Sequence, residues 1–226
     1  MSFSPILGVL AVLIHINSAC SYGSNQNFPA GGNYPATCTF GSGNTFGDNS
    51  NFGATSVFGD GNRFGHRISI GATSIFGHSS QFGNDANVGA TSTFHYNTIF
   101  GSGARIGATN SFGHGCQFGN NLDVGATARF GGNLVVGNDA RIGATVIALG
   151  NCRFGHNLKL EATPIFGDNL TVGDNLNVGA TSIIGNGFTC GSNARFGATT
   201  ILGANCRFVT RPFFATPPIT GSNCNP

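Results

Sequence analysis

Threonine is the residue type most regularly placed in this chain. Thr37, Thr55, Thr73, Thr91, Thr109, Thr127, Thr145, Thr163, Thr181 and Thr199 follow one another at steps of 18 residues. Each offers a hydroxyl that donates and accepts hydrogen bonds, next to a methyl on a side chain stiff at χ1. A row of such groups can order water or lie against another regular surface. The other candidates for chemistry are weaker. His78, His95 and His114 fall in neighbouring repeats and could meet at a metal, but the same positions also carry Asp60, Tyr96 and Asp168, as a tolerant polar corner would. The scattered carboxylates form no acid–base pair and no long insertion builds a pocket. The reading is therefore of a protein that is not an enzyme and holds no metal or other cofactor.

The threonines belong to a longer pattern. The tripeptide Gly-Ala-Thr begins at Gly53, Gly71, Gly89, Gly107, Gly125, Gly143, Gly179 and Gly197, with Glu161-Ala162-Thr163 filling the one gap in register. Within each 18 residues runs a beat of six, an apolar residue followed by glycine, as in Phe40-Gly41, Phe46-Gly47 and Phe52-Gly53. Hexads grouped in threes predict an all-β parallel solenoid with three strands per coil. If place one is the apolar residue, place five is small or apolar. Strand alternation then sends places one and five inward and places four and six outward. Gly at place two and a small or polar residue at place three are expected to turn the corner. About ten coils are expected. Two columns of place-one Phe, one from Phe58 to Phe130 and one from Phe46 to Phe118, are expected to stack as aromatic ladders.

This pattern resembles the hexapeptide-repeat family, whose hexad is an aliphatic residue, Gly, two variable residues, a small residue and another variable one. The resemblance covers about three quarters of the chain and implies a left-handed β-helix of triangular section. The departure is Phe at place one.

Of the three faces, two carry mixed polar residues without regular chemistry. The third has Thr at every place four. Its place six is mostly β-branched: Thr39, Val57, Ile75, Thr93, Ser111, Ile147, Ile165, Ile183 and Ile201. Over ten coils the strip would be roughly 45 Å long. Such outward Thr-x-Thr pairs, matched outright by Thr37-Cys38-Thr39 and Thr91-Ser92-Thr93, resemble the ice-binding face of insect β-solenoid antifreeze proteins. The resemblance implies adsorption to ice or ordered water through those residues. Arg129 and Pro164 interrupt the pattern and leave Thr37 to Ser111 as its cleanest stretch. Two other readings stand beside it. Thr, Val and Ile are good strand formers. A flat β-branched face can also pair one solenoid with another, as in an eggshell, coat, fibre or adhesive.

Charge and ends complete the reading. Lys and Arg number 10 against 8 acidic residues, with no basic stripe for nucleic acid or an anionic membrane. The strict period argues against a disordered Phe-Gly chain. Residues 1–19 read as a signal peptide, with an apolar run from Pro5 to Ile16 before Ser18-Ala19-Cys20. A secreted, extracellular protein with an N-terminal cap at 20–36, a solenoid at 37–208 and a C-terminal cap or tail at 209–226 follows. Export makes disulfides permissible. Cys38, Cys116, Cys152, Cys190 and Cys206 sit at inward places and read as core fillers, whereas Cys20 and Cys224 in the ends read as disulfide candidates. One glycosylation sequon, Asn169-Leu170-Thr171, lies off the Thr face.

Overall fold

A computed structural model describes residues 19–143 and 145–225. The export-signal reading therefore lies almost wholly outside the described residues. The rest forms a parallel β-solenoid with an 18-residue coil and three sheets, of 12, 11 and 11 strands. That makes about eleven turns rather than ten. The stretches read as caps also carry strands in register. Ser21–Tyr22, Asn27–Phe28 and Asn33–Tyr34 form the first coil, and Phe213–Phe214 and Ile219–Thr220 continue two of the sheets at the other end.

Most strands are only two residues long, one exposed and one buried, at places six and one. Their shortness follows from the corners. At place four the backbone turns left-handed in hexad after hexad, with φ between 54° and 75°. The residue there is usually Asn, Asp or Gly, the types that enter this region most readily. The corner was expected at places two and three, and the structure extends it to place four. Each coil is then hydrogen-bonded to both neighbours. Place-six and place-two amides donate back to the preceding coil, as in Val57 N to Cys38 O at 2.9 Å and Gly59 N to Phe40 O at 2.9 Å. The left-handed amide donates forward, as in Gly43 N to Asp60 O at 2.8 Å. Place two is glycine in most hexads, and where coils approach closely it must be: a Cβ at Gly179 or Gly197 would fall on the carbonyl oxygen of Glu161 or Gly179 one coil away.

Place-three side chains add a second ladder at two of the three corners. The backbone amide of one coil donates to the side chain of the coil before, as in His66 N to Asp48 Oδ1 at 2.8 Å and Asn84 N to His66 Nδ1 at 2.9 Å. The third corner has Ala at this place and cannot make the bond.

The core holds the predicted aromatic ladders. One runs unbroken from Tyr22 through Phe40, Phe58, Phe76, Phe94 and Phe112 to Phe130, with centroids 4.7 to 4.9 Å apart and rings stacked. The other runs from Phe28 to Phe118 at 4.4 to 5.0 Å. Rings of the two columns meet edge to face, as Phe40 and Phe46 do at 5.1 Å and 90°. Where place one is Phe, place five is mostly small: Asn44, Ser50, Ser56, Asn62, Ser74 and Ser92, all buried. In the later coils Val136, Ala148, Val172 and Ile184 replace Phe, and Leu134, Leu158, Leu170 and Phe188 fill place five. The prism keeps its filling by exchanging volume between the two places.

Cysteine placement is part expected and part corrected. Cys116, Cys152, Cys190 and Cys206 are buried, as core fillers should be. Burial raises the Cys116 and Cys152 thiols above their ordinary pKa and pushes Cys190 up to about 12. Cys38 is not a free filler, however. It pairs with Cys20, with Cα atoms 4.5 Å apart. The sequence reading missed this because it counted inward places without asking which residue lies one coil away.

One coil supplies a paired test of this core. Phe94 is 1 % exposed in the aromatic ladder, while the Ser92 hydroxyl is buried without a partner. Phe94→Ala should destabilise by about 3–5 kcal/mol in urea titrations. Ser92→Ala should lose nothing measurable, because it removes a group already unsatisfied. A Phe94 loss below about 1 kcal/mol would be inconsistent with a packed ladder.

Candidate functional site

The Thr face is built on the 12-stranded sheet. Its place-six column is aligned coil on coil: Thr39, Val57, Ile75, Thr93, Ser111, Arg129, Ile147, Ile165, Ile183, Ile201. Ile219 continues it by one coil and was not anticipated. The place-four threonines are exposed, apart from the half-buried Thr127 and Thr181. Val57, Ile75, Ile165, Ile183 and Ile201 are 36 to 44 % exposed. In place-four and place-six positions from Thr37 to Ile201, Arg129 is the one charge.

The two halves of the threonine column differ in backbone. Thr37, Thr55, Thr73, Thr91 and Thr109 have φ between 58° and 66°. They sit in the left-handed corner beside the sheet, not in a strand. The amides of the first four donate forward, as in Thr55 N to Ala72 O at 2.9 Å. From Thr127 onward the strands lengthen to four residues: Thr127–Phe130, Thr145–Ala148, Thr163–Phe166, Thr181–Ile184 and Thr199–Leu202. The amide now points the other way, with Thr145 N donating back to Ala126 O at 2.8 Å and Thr199 N to Ala180 O at 2.8 Å. Only in these coils do places four and six stand two apart on one strand and share a face. In Thr37 to Ser111 the threonine therefore stands in the corner beside its place-six partner, and the strand-borne Thr-x-Ile array lies at 145–201.

The following residue accounts for the switch. Left-handed Thr is followed by Cys38, Ser56, Ser74, Ser92 or Asn110, and extended Thr by Ala128, Val146, Pro164, Ser182 or Thr200. Val and Thr favour extended backbone, and a proline drives the residue before it there. Thr127 and Thr181 follow their neighbours through the sheet register. Pro164, expected to disrupt the face, points into the core and pairs with Val146. At place five the amide has little to lose. In the two-residue strands it lies outside the backbone ladder, and side chains take it at Gln26, Asn44 and Ser92.

The face hydroxyls are free of protein partners among the described residues. Threonine side chains that do bond inside the protein lie elsewhere, such as Thr98, which donates to His95 O, and Thr200, which accepts from the Ser182 hydroxyl. The histidines gather without forming a ligand set. His78 and His95 rings lie 5.0 Å apart edge to face, and Tyr96 stands between His78 and His114. The Nδ1 atoms of His78 and His114 instead accept backbone amides of the next coil. Among the described residues no three His, Cys, Asp or Glu side chains are grouped to hold a metal. A concavity of about 620 Å³ lies on another sheet, lined by Asn175, Asn193, Arg195, Arg211 and Phe213.

No protein-family model, curated protein or solved structure matches this chain.

The two backbone states give opposite responses to one substitution. A β-branched residue at positive φ is strained, by about 1–3 kcal/mol. Thr73→Asn should therefore raise stability by about 1 kcal/mol, since Asn enters this region readily. Thr181→Asn, in a strand, should lower it by up to about 1 kcal/mol. Equal effects by chemical denaturation would contradict the switch.

Proposed function

We propose that this is a secreted ice-binding protein that adsorbs to ice through the Thr face. One observation carries the proposal: threonine holds place four of this face in both backbone states. A preference for strands does not account for it, because five of these threonines are in left-handed corners. Every other left-handed place four among the described residues is Asn, Asp, Gly, Ser or, at Arg67, Arg. Retaining a strained side chain where an easier one is used elsewhere points to a surface role for its hydroxyl and methyl.

The geometry suits adsorption. Ranks repeat at about 4.8 Å along the solenoid, and Thr and Ile in one strand stand about 6.6 Å apart. Unbonded hydroxyls hold water while methyls shape it into a fixed, repeating layer. Stiff β-branched side chains limit the entropy lost when that layer joins a crystal. Ala at place three keeps the bordering corner small, and Glu161 at place two is its one charge. Arg129 interrupts the array where the backbone changes.

A second reading is favoured by the row of exposed Ile165, Ile183, Ile201 and Ile219. Two such rows could pair two copies, as in an extracellular fibre or coat.

Thermal hysteresis of the purified mature chain separates these readings. Hysteresis is expected from a monomer. Thr145→Tyr with Thr181→Tyr should abolish it, while Thr73→Tyr with Thr91→Tyr should reduce it less. Arg129→Thr should increase it. No hysteresis, or hysteresis indifferent to all four Tyr substitutions, ends the ice reading; filaments lost on the same substitutions would establish the second.

A further inference from the structure

The N-terminal coil is tied to its neighbour by Cys20–Cys38, two cysteines at place five exactly one 18-residue coil apart. The same relation recurs once more in the chain. Cys206 and Cys224 are also 18 residues apart and also at place five. No other free cysteine has this relation: the stacked neighbours of Cys116 are Thr98 and Leu134, those of Cys152 are Leu134 and Leu170, and those of Cys190 are Val172 and Phe208.

The last coil is in register where this pair lies. Asn205 N donates to Ser222 O at 2.9 Å, Gly221 N to Leu202 O at 2.9 Å, and Asn223 Nδ2 to Asn205 Oδ1 at 3.2 Å. Stacked Cα atoms in such a ladder are about 4.8 Å apart, inside the range a disulfide spans. The two sulfurs also converge on one acceptor. Cys206 Sγ lies 3.2 Å and Cys224 Sγ 2.9 Å from the carbonyl oxygen of Gly203.

We propose that Cys206 and Cys224 form a second coil-to-coil disulfide, which closes the C-terminal end of the solenoid as Cys20–Cys38 closes the N-terminal end. The oxidant is a small disulfide such as oxidised glutathione. Cys224, half-buried, is the entry point. Its thiolate attacks one glutathione sulfur, forming a mixed disulfide and releasing one glutathione thiol. Cys206 then gives its proton to water and attacks the Cys224 sulfur, releasing the second glutathione. The two cysteines lose two electrons and two protons, and one glutathione disulfide becomes two thiols. The order follows from the buried Cys206 thiol, which burial and then the neighbouring Cys224 push up to about 12, making it the poorer first nucleophile.

The structural consequence is confined to the end. The final strand, Ile219–Thr220, has a single sheet neighbour and is the exposed edge at which a solenoid frays or adds another copy. A cross-link between Cys206 and Cys224 ties that strand's segment to the preceding coil.

The full chain, incubated with oxidised glutathione, denatured, alkylated and cut with trypsin without reduction, tests this directly. Cleavage after Arg195 and Arg207 places Cys206 and Cys224 on different peptides. The two peptides are expected to remain linked, with Cys116, Cys152 and Cys190 as the alkylated thiols. Cys224→Ser should add Cys206 to that alkylated set. Alkylation of both Cys206 and Cys224 in the unmutated chain, linkage of either to another cysteine, or protection of Cys206 in Cys224→Ser would overturn the proposal.

Discussion

Everything in this molecule depends on keeping each coil in hydrogen-bonded register with the next. Two-residue strands offer few bonds apiece, so the corners must add their own. The left-handed residue at place four does so by turning its amide toward the following coil, while its neighbours bond to the preceding one. That device fixes the period at six and demands residues tolerant of positive φ. It also excludes any Cβ at place two where coils approach closely, as at Gly179 and Gly197. The core can then vary, and does, provided each coil keeps its volume: Phe over Ser and Asn early, Val and Ala beside Leu later.

The register accounts for the change in the Thr face. Its corner lacks the place-three ladder, because Ala has no acceptor to offer. With fewer bonds holding it, this corner takes either of two forms. In the first five coils the threonine, followed by Cys, Ser or Asn, stays left-handed, whereas Val146, Pro164 and Thr200 draw the chain straight, and Thr127 and Thr181 follow their extended neighbours. The change falls between Thr109 and Thr127, and the aromatic ladders end at Phe118 and Phe130. The solenoid is thus one fold with two kinds of coil, one with unbroken aromatic ladders and cornered threonines, the other with mixed Phe and aliphatic filling and strand-borne threonines. The proposed ice contact rests mainly on the second.

Much of this was legible in the residues. The hexad beat gave the three sheets, and the Phe columns gave the ladders ring by ring. The end segments were harder, since 20–36 and 209–226 break the Gly pattern while still placing Tyr22, Phe28, Tyr34 and Phe214 at place one. Cys20–Cys38 was visible only to a reader counting by coils. The corner at place four was hinted at by Asn and Asp recurring there, a signal that threonine in one column masked. Pro164 looked like damage to the face, yet it supplies a physical reason for Thr163 to be extended. No single-residue propensity identifies the function, because threonine serves strands, corners and surfaces alike.

The central claim is that the Thr face joins a growing ice lattice. Its most direct test is to label the intact chain at its N-terminus with a fluorophore and grow a single ice hemisphere slowly in the solution. The account predicts that fluorescence accumulates inside the ice, at an intensity set by the protein concentration around it. Ice that stays dark while the label concentrates in the surrounding liquid would contradict it.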